Sequence, residues 1–595
     1  MNLYKSRIEQ IREEMRKRGI DAYILPMSDP HLSEYIPSFW KGIEWLCGFS
    51  GSAGTLLITQ QEAYLSTDGR YWLQAQKQLQ DTGVLLHKAT KDHTYTSLLL
   101  SLLSPSSVVG IDGKIFSLKS KNELESLLHS SHISLNTQCD LLSPLWHNRP
   151  PLQREPIFEY PLEFALQDRI QKLSTLREKI AECGADSHLI ASLEDIAWIT
   201  NLRGSDIECN PVFMSYLVID DLNAWLFIQE GTLSKELQNM LESDGFVIKR
   251  YEEVEDFLKG LREKKILLDP ERIPSSLSEV LHPSNTLIQA YNPSLFLKST
   301  KNKEQIEHIK NAMEQDGVAL CHLGFWLEES LRSGERISEL DVESKLHSLR
   351  ASHPLFWGDS FNAIVGFNAN GAQCHYRATK EDFAYIEDSG FLLLDSGGSY
   401  LNGTTDITRV FPIGEVSKEQ KKDYTLVLKA HIAMSSSVFP QGIAMPLLDA
   451  LTRAPLWKYH LDYAHGTGHG VGYFLNVHEG PQVLSYFAPP LEKSKVYEGM
   501  ITSIEPGIYR EGKWGIRLEN LVVTQLDGVS EEGREFLKFE ALSLYPFERE
   551  CLEIGLLTEN EKKWIDSYHQ EVYIRLSKHL NQEMREWLEK KCKKL

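Results

Sequence analysis

The sequence predicts a multidomain chain of mixed α/β and α+β class: two related α/β units, a larger α+β region carrying the candidate chemistry, and a helical C-terminal extension. Three observations predict it. At 595 residues the chain is too long for one hydrophobic core. Its first half alternates short apolar runs with charged, helix-periodic segments, as α/β units do. A similar succession of helix, tryptophan, apolar pair and glycine-containing turn occurs twice, in SDPHLSEY…IEWLCGFSGS and in DSHLIASLEDIAWITNLRGSD.

In chain order, the first unit spans 1–155. It opens on a charged amphipathic helix with Leu3, Ile8, Ile11 and Met15 on one side. Strands are predicted at 22–26, 55–59, 63–67 and 108–112. GFSGSAG (48–54) superficially matches a phosphate loop but lacks the Lys-Ser/Thr ending, so it reads as a tight turn. Arg70, in TDGRYWLQA, is either a surface residue or an anion contact. The Pro-rich stretch 147–157 is a linker. The second unit, 156–298, carries strands near 214–219 and 224–228. The third region, 299–539, begins at the polar KSTKNKEQ run with two long helical patterns. Later come another helix after Asp423 and one interrupted near Pro446 and Pro455. The extension, 540–595, holds a Trp564, Tyr568, Val572, Leu576 stripe of a packed helix, with a Lys-rich end suited to a helix C-terminus.

The chemistry centres on FLLLDSGGSYLNGTTDITR, 391–409. An apolar run delivers Asp395 at a strand end, where a buried carboxylate needs compensation. Asp406 lies on the next β-prone run. A hairpin turning at Asn402-Gly403 would pair Asp395 with Val410 and leave Asp406 four residues off, roughly 13 Å away. Cooperation between the two acids therefore requires the Gly397-Gly398 region to bulge or widen. Further islands follow: His375 in QCHYRAT, His465 and His469 in HGTGHGVG, His478 and Glu479 in NVHEGP, Glu505 in SIEPGIY, and Glu519 in IRLEN. Singly, each has an ordinary reading as a core histidine, a turn or an outward strand residue. Together, four carboxylates and one imidazole suit a pair of divalent cations with oxygen-rich ligation, closer to Mn or Co than to a thiolate zinc site. Two such ions and a hydroxide leave the site near −1, which favours a free amino terminus.

Composition narrows the partners. Acidic residues number 83 against 63 basic, a net charge of −20, which argues against nucleic acid or an anionic membrane surface. The eight cysteines include no Cys-x-x-Cys pair, so no disulfide framework or zinc-thiolate site is indicated. There is no signal-peptide-like start and no apolar run long enough to span a membrane, so a cytoplasmic location is expected.

The order Asp395, Asp406, His469, Glu505, Glu519 resembles that of the pita-bread metallopeptidases. Within them the chain is most similar to the long three-domain cytosolic Xaa-Pro aminopeptidases (aminopeptidase P). The resemblance extends through FSGSAGTLLIT, TDGRYWLQA, AWITNLRGSDIECNPVF, DSGGSYLNGTTDITR, HGTGHGVGYFLNVHEGP, EPGIY, GIRLEN and ALSLYPFE. It implies two creatinase-N-like α/β domains ahead of a pita-bread catalytic domain. It implies an enzyme releasing the first residue from peptides with proline second, through a hydroxide bridging two metals, with Mn(II) expected and Co or Zn as alternatives. Asp395, Asp406 and Glu519 would hold both ions, and His469 and Glu505 would complete one coordination sphere. His375, His465 and His478 would orient the substrate carbonyl and stabilise developing charge. Glu505 would also move the proton, and Arg517 would pair with a ligand carboxylate. Arg70 would touch substrate in its own or a partner subunit's site, within a homodimer. Tyr376, Tyr473 and Phe474 could line a proline pocket or pack the core, and Cys374 beside His375 introduces oxidation sensitivity. Two alternatives remain open: a prolidase cleaving Xaa-Pro dipeptides, and a peptide-binding module without catalysis.

Overall fold

The computed structural model describes residues 2–387 and 389–595. The chain divides into two compact units, Met1–Ser294 and Leu295–Leu595.

The first unit contains two six-stranded sheets. The opening helix, Leu3–Arg18, is capped by Asn2, whose side chain accepts from the Tyr4 N–H, and stops at Gly19 in the left-handed region. Ile8, Ile11 and Met15 are buried, whereas Leu3 is 60% exposed, so the apolar stripe begins one turn later than the sequence suggests. Strands form at Ala22–Pro26, Thr55–Thr59, Ala63–Thr67, Leu85–Lys88, Val108–Ile111 and Ser134–Asn136. The second sheet uses Ser187–Ile190, Ser215–Asp220, Ala224–Ile228, Phe246–Arg250, Lys265–Leu268 and Thr286–Gln289. Numbered along the chain within each domain, both sheets run 4-3-2-1-5-6. The sense of pairing also repeats: strand 1 is antiparallel to 2 and parallel to 5 in both. The internal similarity in sequence is thus a repeat of topology. GFSGSAG leads from the helix Gly42–Cys47 into the strand Thr55–Thr59, a turn rather than a phosphate loop opening a helix.

The second unit begins with the 31-residue helix Lys303–Ser333, closed at its start by an Asn302–Gln305 capping box. The helices Glu339–Ala351 and Lys418–Ser435 join it around one large apolar core. The helix Asp449–Trp457 runs two residues past Pro455 instead of breaking there. Strand Gly390–Ser396 lies antiparallel between Ile364–Phe367 and Ile407–Ile413. A second sheet orders Val438–Pro440, Glu535–Ala541, Asn520–Val529 and Ile501–Ile504. In the C-terminal region the helix Glu559–Leu576 buries Tyr568, Val572 and Leu576 against the core, with Trp564 half-buried beside them, and the helix Gln582–Lys591 follows.

One register differs from the sequence reading. Tyr400 pairs with Gly403, Ser399 with Thr404 and Asp395 with Thr408, so the turn consists of Leu401 and Asn402. Asp406 is then two residues from the position opposite Asp395, about 7 Å along the strand rather than 13. The connection does not widen. A Cβ at Gly397 would stand 2.0 Å from the Thr405 carbonyl oxygen, so only glycine lets the two strands lie this close.

Candidate metal centre

Five segments of the second unit supply the site. Asp395 comes from the strand Gly390–Ser396, and Asp406 from the residues just before Ile407–Ile413. His469 ends the short strand Gly468–His469. Glu505 follows Ile501–Ile504, and Glu519 lies between Trp514–Arg517 and Asn520–Val529. Strand ends suit this purpose, because the sheet fixes the backbone while the last side chain is free to point into a cleft. At Gly468 an added Cβ would meet the Ser503 carbonyl at 1.8 Å, so the glycine lets His469 sit against the strand that delivers Glu505. The His469 N–H donates to Ser503 Oγ at 3.0 Å.

The acids form the floor. Asp395, Asp406 and Glu519 are buried, whereas His375, His465, His469, His478 and Glu505 are partly exposed. Donor atoms of Asp406, His469 and Glu519 all lie within 4.8 Å of one another. His469 Nε2 is 3.5 Å from Asp406 Oδ2 and 3.8 Å from Glu505 Oε1. Its Nδ1 lies 2.9 Å from the Gly470 carbonyl oxygen, an acceptor only, so Nδ1 carries a proton and Nε2 is the nitrogen that faces the acids.

A cation fits this constellation. Asp395 Oδ1 and Asp406 Oδ1 are buried without a hydrogen-bond partner. Burial raises the Asp395 carboxyl, with Arg517 opposing and Asp406 reinforcing the shift. Burial, with Asp406, Glu505 and Asp395 alongside, pushes Glu519 well above the ordinary carboxylate range. Glu505 is pushed up to about 7, by burial first, against the pull of His469 and Arg517. Buried acids that strain one another and keep orphaned oxygens are what a hard divalent ion would satisfy.

A basic clamp steadies the floor from the side. Arg517 donates to Asp395 Oδ2 at 2.5 Å, to the Tyr509 hydroxyl at 2.8 Å and to Thr408 Oγ1 at 3.3 Å. Thr408 donates in turn to Glu519 Oε2 at 2.8 Å. His465 has both ring nitrogens engaged. Nδ1 donates to the Gly466 carbonyl at 2.7 Å, and Nε2 accepts from the Tyr509 hydroxyl at 2.9 Å. Burial and the nearby Arg517 push its pKa down to about 3, so this imidazole is neutral at physiological pH. The His478 ring stands edge-on to that of His469, centroids 4.3 Å apart. His375 follows Cys374 in a turn near His465.

The other candidates divide. Arg70 belongs to the first unit, where Nε and Nη2 fork onto Asp68 at 2.8 Å each. Tyr376 is a core residue, its hydroxyl donating to buried Glu339 at 2.9 Å. Phe474 is buried and its ring meets Trp357 edge-on. Sequence reasoning missed Thr408 and Tyr509. Both were accessible through strand alternation: Thr408 shares a face with Asp406. Tyr509 shares one with Arg517 in the hairpin that pairs Gly507 with Arg517.

Metallopeptidase family M24 matches residues 307–525, and the C-terminal region of that family matches 535–595. The Creatinase/Prolidase N-terminal domain matches twice, at 7–138 and 148–305. A probable Xaa-Pro aminopeptidase P of Laccaria bicolor is 36% identical over 603 residues, covering 99% of this chain and 93% of its own length. Xaa-Pro aminopeptidase 1 of Dictyostelium discoideum is 36% identical over 608 residues, covering 99% and 96%. The crystal structure of the X-prolyl aminopeptidase of Caenorhabditis elegans, described as a cytosolic enzyme with a di-nuclear active site, superposes with a TM-score of 0.95. It has 30% identity and covers 100% of both chains.

Proposed function

Because the chain belongs to metallopeptidase family M24, with two creatinase-type N-terminal domains, we propose that its buried acids hold two divalent cations in an Xaa-Pro aminopeptidase. Such an enzyme releases the first residue from peptides with proline in the second position. The observation that carries the proposal is the convergence of Asp406, His469 and Glu519 beside Asp395, with two buried carboxylate oxygens lacking any partner.

Asp395, Asp406 and Glu519 would hold both ions, and His469 and Glu505 would complete one of them. When bound, the ions lower the pKa of water and polarise the carbonyl of the first residue. The protein's own groups do the rest. The excess of carboxylates attracts the substrate's ammonium terminus. His375 and His478, on the open rim, orient the carbonyl and stabilise charge as it grows on oxygen. His465 acts through Tyr509, whose hydroxyl it receives and which Arg517 also holds, so it fixes the arginine that orients Asp395. Glu505, beside the attacking water, takes its proton and gives it to the proline nitrogen as the C–N bond breaks. That nitrogen has no hydrogen of its own in the substrate, so recognition of proline falls to shape and apolar contact.

Mn(II) is the ion we assign, because the donor set is rich in oxygen and poor in sulfur. Among the described residues no helix is long and apolar enough to cross a membrane, and we place the enzyme in the cytoplasm as a homodimer. We place its domain boundaries near 155, 298 and 539, and assign Arg70 a substrate contact. The test is cleavage of Arg-Pro-Pro and Ala-Pro with Mn(II) and then with chelator. Metal-dependent release of arginine from the tripeptide is expected. Cleavage of the dipeptide alone would assign a prolidase, and no metal-dependent cleavage of either would contradict the enzyme assignment.

A further inference from the structure

Directly beneath two of the acids lies a buried arginine that contacts neutral groups alone among its described hydrogen-bond acceptors. Arg409 is one residue past Thr408, on the opposite face of its strand from Asp406, and is 2% exposed. Its guanidinium donates to the carbonyls of Thr408 (2.9 Å), Glu519 (2.5 Å) and Tyr545 (2.7 Å), to Asn520 Oδ1 (2.7 Å) and to the Tyr568 hydroxyl (2.8 Å). A buried guanidinium usually takes a carboxylate. This one instead joins the backbone at Glu519 to the C-terminal region.

Glu519 needs such support because it lies between two strands rather than within one. Its N–H donates to the Thr408 carbonyl at 3.1 Å, and Arg409 holds its C=O, so its backbone is fixed on both sides. Tyr568, on the helix Glu559–Leu576, passes its own proton toward the carbonyls of Ser543 (2.9 Å) and Tyr545 (3.1 Å). Ser543 reaches the other acid: its hydroxyl donates to the Asp406 carbonyl at 3.0 Å. It also accepts from the Leu521 N–H at 2.8 Å.

Resting on the metallopeptidase reading above, we infer that residues 535–595 brace the metal centre, with Arg409, Ser543 and Tyr568 as positioning residues. Through them the C-terminal region sets the spacing between the Asp406 and Glu519 backbones, and so the fit of the cations, without touching ion or substrate.

The experiment is titration of the metal-free full-length protein with Mn(II), following free Mn(II) by its paramagnetic resonance signal. Tyr568→Phe, Ser543→Ala and Arg409→Lys are compared with wild type. Each should weaken Mn(II) binding by roughly tenfold, with turnover recovering at saturating Mn(II). Lys591→Met is the control. It breaks the pairs of Lys591 with Glu548 (2.8 Å) and Glu328 (2.7 Å), none of the three being among the hydrogen-bond partners of Arg409, Ser543 or Tyr568 given above. It should lower thermal stability and leave the Mn(II) titration unchanged. Wild-type Mn(II) affinity in the first three variants would overturn the brace and leave the enzyme reading intact. So would an equal loss of affinity in Lys591→Met. A wild-type protein that binds no Mn(II) would overturn both.

Discussion

At Asp395 one carboxylate oxygen is held by Arg517 while the other is buried without a partner. Leaving a buried acceptor unsatisfied costs about 1–3 kcal/mol, and more when it is charged. The metal-free centre is therefore a local instability that a cation relieves, and pH should reveal it. Glu505 binds its proton more tightly folded than unfolded, with a pKa of about 7. Its contribution to the stability of metal-free protein is present in full below about pH 4.3, the unfolded carboxyl value, and is lost as pH rises through 7. Glu519 and Asp395 shift in the same direction. Thermal melts with chelator and with Mn(II) should thus show a stabilisation by metal that is larger at pH 8 than at pH 5.5. Equal stabilisation at both would mean that the acids are not the groups the ion meets.

Register is what brings the two aspartates into one site, and at this scale sequence signals misplaced it. Asn-Gly is the strongest short hairpin signal, yet Asn402 serves another purpose here. Its side chain donates to the His308 carbonyl at 3.2 Å and to Asn311 at 3.0 Å, docking the turn on the helix Lys303–Ser333. Gly403 packs against Ile309 and Ala312 of the same helix. A tertiary contact decided the turn, and no local pattern could report it. In the first unit the strands near 22–26, 55–59, 63–67, 108–111, 215–220 and 224–228 were legible from apolarity, whereas Leu85–Lys88, Ser134–Asn136, Ser187–Ile190, Phe246–Arg250, Lys265–Leu268 and Thr286–Gln289 were not predicted. The convergent acids and histidines were legible as candidates because carboxylates and imidazoles in glycine-rich strand ends have few structural uses. Thr408, Tyr509 and Arg409 escaped notice because a threonine, a tyrosine and an arginine in strands have many. Gly397→Ala tests the register. It places a methyl group 2.0 Å from the Thr405 carbonyl and 2.2 Å from Ser360 Oγ. A destabilisation of about 1–3 kcal/mol or more is expected in denaturant titration, with weakened Mn(II) binding. Unchanged metal affinity would show that the centre tolerates a spread strand pair.

Across the whole molecule, the site residues that converge belong to the second unit, and the first is a duplicated sheet domain. Arg70 is the first unit's candidate contribution. Its guanidinium is occupied by Asp68, an exposed pairing worth little by itself. If it serves substrate, Arg70→Ala should lower kcat/KM by about tenfold or more through KM, with metal content unchanged. Steady-state kinetics on Arg-Pro-Pro identical to wild type would return Arg70 to a surface role. The central claim is that dispersed side chains gather two cations on which turnover depends. Its most direct test is elemental analysis of purified wild type and Asp406→Ala, paired with turnover on Arg-Pro-Pro. Two ions per chain in the wild type, with metal content and turnover falling together in the variant, is the predicted result. Full hydrolysis by Asp406→Ala without bound metal would contradict it.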